Sequence, residues 1–147
     1  MKIRALVLLA ALTVAAPAAF ASAGRPTKPS PQPPNAGAPP PAWIETQARS
    51  AWLAYGSYCW KTACVDMIPP QSRPDLPAFG VKGGSTVRVH LGYRPTSVTV
   101  SLDRRVVRAT LDPTRRVVSW RAVRGGLLTV FARGAGDASY VTRLRVG

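Results

Sequence analysis

Beyond residue 85 the chain alternates polar and apolar positions in short runs. Thr86-Val87-Arg88-Val89-His90-Leu91 alternates without a fault. Val98, Val100 and Leu102 alternate with Ser97, Thr99 and Ser101, and Val118, Trp120 and Ala122 with Val117, Ser119 and Arg121. Tyr140, Thr142, Leu144 and Val146 alternate with Val141, Arg143 and Arg145. A period of two places successive side chains on opposite faces, so each run predicts a strand with one buried face. Turn residues fall between the runs: Gly83-Gly84, Gly92 to Pro95, Asp103-Arg104, Asp112-Pro113-Thr114, Gly125-Gly126 and Gly134 to Asp137.

The expected strands are 48–60, 64–67, 79–82, 86–91, 97–102, 105–111, 116–122, 127–133 and 138–146. Only Ile44 to Leu53 also reads as a helix, and the aromatics that follow it favour a strand. Short strands with frequent turns predict an all-β sandwich, here as one domain over residues 42–147. That length suits an immunoglobulin-like antiparallel β-sandwich.

The first 41 residues have a different character. Lys2 and Arg4 precede an apolar run from Ala5 to Ala16, then Pro17 and small residues, including Ala19-Phe20-Ala21 and Ala21-Ser22-Ala23. This predicts a cleaved signal peptide over residues 1–23 and a secreted or extracytoplasmic protein. The apolar run is shorter than the roughly 20 residues that span a bilayer, and no other appears later, so no transmembrane segment is expected in the mature chain. Residues 24–41 include eight prolines among 18 residues. Proline lacks the amide donor and fixes φ, so a disordered, solvated leader is expected, reaching about 55 Å when extended.

Cys59 and Cys64 are the two cysteines, and four residues separate them. In an exported chain such a pair predicts a disulfide across a hairpin loop. Redox pairs have two intervening residues, and a zinc site needs four ligands where this chain has one histidine, so no metal or cofactor is expected. Trp52, Tyr58 and Trp60 share one parity and are read mainly as core, with a stacking platform as the alternative. Tyr93 lies in a turn and is the best candidate for an exposed aromatic.

Gly56-Ser57-Tyr58-Cys59-Trp60, followed by Cys64-Val65-Asp66 and a proline-rich bend, resembles a motif of small secreted bacterial proteins with an immunoglobulin-like sandwich and no assigned role. Gly92 to Pro95 and the closing hairpin of Gly126 to Ala132 with Asp137 to Val146 are similar to the same group. The resemblance implies the sandwich and brings no catalytic residues.

The chain has 20 Lys plus Arg, 16 of them Arg, against 6 Asp plus Glu, for a net charge of +14. Removing Lys2 and Arg4 leaves +12. Arg-rich composition also follows from genome bias, and these arginines are spread over many strands, so no specific nucleic-acid partner is expected. Arg88, Arg121, Arg143 and Arg145 have outward parity and are candidates to meet an anionic cell-wall polymer or glycan.

The catalytic alternatives are weak. His90, the single histidine, should face solvent beside Arg88 and has no catalytic signature near it. Asp103, Asp112 and Asp137 belong to turns, where Asp holds the bend, and Asp66 is the acid most open to partial burial. The reading is therefore a non-catalytic binding or structural module outside the membrane, using a sheet face or the loops at one end. A module for another extracytoplasmic protein, such as an enzyme inhibitor or accessory subunit, is the alternative. Leu127 and Phe131 would then face outward as Leu128, Val130 and Ala132 face the core.

Overall fold

The alternating runs assemble into two sheets packed face to face. The computed structural model describes residues 26–147, and the export signal expected over residues 1–23 lies outside them. One sheet contains β1 (Trp43–Glu45), β2 (Ser50–Trp52), β6 (Thr86–His90), β9 (Thr110–Leu111) and β10 (Val117–Arg121), in the order β2-β1-β6-β10-β9. The other contains β3 (Ala54–Trp60), β4 (Ala63–Val65), β7 (Ser97–Leu102), β8 (Arg105–Val106), β11 (Gly126–Arg133) and β12 (Asp137–Val146), in the order β4-β3-β12-β11-β7-β8. A seventh strand of this sheet, β5 (Ala78–Val81), pairs with the last part of β12. That pairing is parallel; the other strand pairs are antiparallel.

The core lies between the sheets and follows the alternation. Val87, Val89, Val118 and Trp120 face inward from the first sheet, and Val100, Leu102, Leu128, Val130, Tyr140 and Leu144 from the second. Leu127 and Phe131 are half-buried on the outer side of β11, as their parity requires. The chain changes sheet at two places where one long strand was expected. The 48–60 run breaks at Leu53, which is buried and donates its amide to Ala42 O at 2.9 Å. Trp52 and Tyr58 therefore sit in different sheets and share no face. The 105–111 run breaks over 107–109, leaving β8 on one sheet and β9 on the other. β1 is an additional strand; it pairs with both β2 and β6.

The described part of the proline-rich leader has no helix or strand and is widely exposed, but it is tied to the domain at several carbonyls. Pro39 and Pro41 are buried. Tyr55 OH donates to Pro39 O at 2.8 Å, Tyr140 OH to Pro40 O at 2.7 Å, and Trp52 Nε1 to Pro31 O at 2.8 Å. Ser50 Oγ donates to Thr27 O at 2.7 Å. A proline-rich segment has too few N–H groups to pair as a strand, so its carbonyls are left to accept from side chains. The domain's hydroxyl and indole donors meet that need.

Cys59 and Cys64 are paired across the β3–β4 hairpin and joined by a disulfide. The ring is short, so the chain-entropy contribution is about 2 kcal/mol. Replacing both cysteines by serine is expected to lower unfolding free energy by about 2 kcal/mol while preserving the β spectrum, as measured by urea titration and circular dichroism. The buried tyrosines predict a second effect. Burial, with a neighbouring tyrosine, pushes Tyr55 up to about 12, and burial, with Asp137 nearby, pushes Tyr93 up to about 12. Tyr140 is raised further, by burial first. An unfolded tyrosine ionises near pH 10, so above that pH the unfolded chain loses protons that the native chain keeps. Stability should be unaffected by these groups below pH 10 and should fall as pH rises from about 10 to 12. Denaturant titrations across that range, with phenolate absorbance as the companion measurement, check the sign.

Candidate binding surface at one end of the sandwich

Four turns meet at the end of the sandwich opposite the disulfide. They join β1 to β2 (residues 46–49), β5 to β6 (82–85), β7 to β8 (103–104) and β10 to β11 (122–125). Backbone bonds join the β5–β6 turn to the β10–β11 turn and to the C-terminal residue. Gly84 N donates to Ala122 O at 2.7 Å, Ala122 N to Ser85 O at 2.9 Å, and Gly83 N to Gly147 O at 2.9 Å. The Asp103-Arg104 turn takes positive φ at both residues, 48° and 66°. Two such residues in a two-residue hairpin match the twist of the flanking strands. Asp103 Oδ1 accepts Leu127 N at 2.8 Å, while Asp103 N donates to Leu127 O at 3.0 Å.

These turns carry Arg49, Lys82, Arg104 and Arg124, and adjoining strand ends carry Arg105, Arg121 and Arg145. All seven side chains are exposed. Asp103 is the one acid in the turns, and its carboxylate is already engaged by Leu127 N. Arg121 is held in place by donating from Nε and Nη2 to Gly84 O, at 3.2 and 2.9 Å. An open cleft of about 600 Å³ lies here, lined by Thr46, Arg49, Lys82, Ser85 and Arg145 among others. Arg49 lies over Gly80, where an added Cβ would come 3.5 Å from Nη1. Three cations and two hydroxyls around one opening make a favourable place for oxyanions.

The opposite end is also basic; three of its arginines are bonded to the loops around them, while Arg94 and Lys61 are exposed. Arg115 donates to Thr96 O, Arg116 Nη1 to Gly92 O at 3.4 Å, and Arg133 Nε lies 3.9 Å from Asp137 Oδ2. Asp112 accepts from the amides of Arg116 and Val117, both at 2.9 Å. The Thr114 hydroxyl above all, and then these amides, hold the Asp112 carboxyl below its usual range. The three bonded arginines of that end thus help to close its loops.

Of the four arginines singled out from parity, two belong to the basic end, Arg121 and Arg145. Arg88 lies on the outer side of the first sheet, paired with Glu45 and Ser119. Arg143 is half-buried and donates to Arg73 O at 3.1 Å. The four do not form one patch. Tyr93 is a correction: it is buried, donates from its hydroxyl to Ala132 O at 2.9 Å, and meets Trp60 edge-on at 4.9 Å. A turn residue was expected outside, but this turn folds back over the open end of the core. Tyr58 and Trp60 pack partly buried against the core, and Trp52 is half-covered by the leader. The structure does not bring these aromatics to one open face.

His90 is a second correction. Its ring stacks on Trp43 at 3.7 Å, with Nε2 3.3 Å from Oε1 of the buried Glu45. The outer side of the first sheet is covered there, so the polar parity did not imply exposure. Asp66, expected to be partly buried, is exposed and accepts from Ser57 Oγ at 2.8 Å. Parity missed Arg49, Lys82, Arg104, Arg105 and Arg124. Their signal was that each basic residue adjoins a turn rather than the middle of a strand.

The fold and this surface define a disulfide-bonded, two-sheet β domain with a strongly cationic end. No protein-family model, curated protein or solved structure matches the chain.

Gly126 is a local test of the turn assembly. It has φ of +144°, and a Cβ there would come 2.3 Å from Asp103 Oδ2. Gly126→Ala should lower unfolding free energy by about 1–3 kcal/mol through backbone strain and displacement of Asp103. Thermal melts of the two proteins check this, and an unchanged melting temperature would remove Asp103 as the fastener.

Proposed function

We propose that this chain is an exported, non-catalytic module, immunoglobulin-like in its sandwich, that binds anionic components of the cell envelope through its basic end. One observation carries the reading: four turns gathered at one end of the sandwich, with their strand ends, present seven exposed cations against one engaged carboxylate. A fixed array of like charge raises the local concentration of a polyanion and binds it in a salt-dependent way. The arginine forks suit phosphate and carboxylate groups, which they can grip through two N–H donors. The disulfide is consistent with an oxidising compartment.

The experiment measures binding to soluble polyphosphate at low and high salt. Affinity should fall steeply as salt rises. Reversing Arg49 and Arg145 to Glu should weaken binding by about tenfold or more at low salt, a loss of roughly 1.4 kcal/mol or more. Reversing Arg115 and Arg133 at the other end should have a much smaller effect. Equal losses from the two pairs would assign the binding to overall charge and reject the site.

A further inference from the structure

We propose that the basic end docks on a bilayer surface containing anionic phospholipid, with Val123 and Val106 entering the interfacial layer. This rests on the anionic-binding reading above and names its partner. Among the described residues, three large apolar side chains are strongly exposed: Ile68, Val106 and Val123. Two of the three belong to the cationic end. Val123 is 80% exposed at the tip of the β10–β11 turn, and Val106 is 74% exposed on β8, two residues beyond the Asp103-Arg104 turn.

Val106 is held on β8 by its pairing with Ser101, and the neighbours of Val123 fix that side chain outward. Ala122, before Val123, is fully buried and bonded through both its N–H and its carbonyl. Gly125, after Arg124, sits so close to the next strand that a Cβ would meet Leu144 O at 2.6 Å. The turn is therefore pinned on both sides, and the valine has no route back to the core. Each exposed valine also has an exposed arginine next to it, Arg124 for Val123 and Arg105 for Val106.

A soluble polyanion is satisfied by the cations alone and gains nothing from a valine held out in water. A bilayer surface offers two layers with matching chemistry. Phosphates meet the guanidinium groups, and the boundary below them takes up short apolar side chains. The sign of the lipid charge follows from the excess of cations over the single engaged carboxylate.

The test is sedimentation with vesicles of phosphatidylcholine alone or mixed equally with phosphatidylglycerol. The intact protein should bind the mixed vesicles at least tenfold better than the neutral ones. The double variant Val106→Ser with Val123→Ser should lose about tenfold in vesicle affinity, as expected for withdrawing two partly inserted valines, and should bind polyphosphate like the parent. Arg104→Glu with Arg124→Glu should lose both activities. Unchanged vesicle affinity in the valine variant would overturn the inference. So would a parent that binds polyphosphate but ignores the mixed vesicles, and in that case the broader anionic reading would survive. A parent that binds neither would end both.

Discussion

Strand β12 is the constraint on which the remainder of the molecule rests. It is the longest strand, and it is paired along both edges: with β11 on one side, and with β3 and then β5 on the other. A strand held that way has one register, because a slip by one residue would turn its inner face outward. That face contributes Ala138, Tyr140, Thr142 and Leu144 to the interior. The same strand positions parts far from one another. Tyr140 holds the leader through Pro40, and the far end of β12 delivers Arg145 to the cationic cleft.

The strands of the second half were readable because their burial is one-sided. Leu128, Val130 and Ala132 are fully buried while Leu127, Thr129 and Phe131 are only half-covered. Alternation specifies a face, however, and not the sheet to which that face belongs. Leu53 and residues 107–109 carry the chain between layers without interrupting the hydrophobic pattern enough to show it. Tyr93 and His90 were misplaced for a related reason. Local parity and turn chemistry do not register a distant segment that covers the position, as Trp43 does for His90.

The charge was legible as an amount and not as an arrangement. Arginine has two uses in this fold. Arg115, Arg116 and Arg143 donate to backbone carbonyls and help to close loops, which a neutral donor of the same reach would also do. Arg49, Lys82, Arg104 and Arg124 extend from turns into solvent. Sequence alone assigns both groups the same charge. Which turns meet at one end depends on the two sheet crossings, so the cationic cluster became visible only with the topology.

The docked leader changes what mechanical part that segment can play. Its backbone is gripped at Thr27, Pro31, Pro39 and Pro40. Residues 26–41 would reach about 50 Å if drawn out, but fastened in this way they supply almost no slack. The segment behaves as a splint and not as a tether. Because the donors come from β2 in one sheet and from β3 and β12 in the other, the leader is a clasp laid across both layers, and separating the sheets would have to release it first.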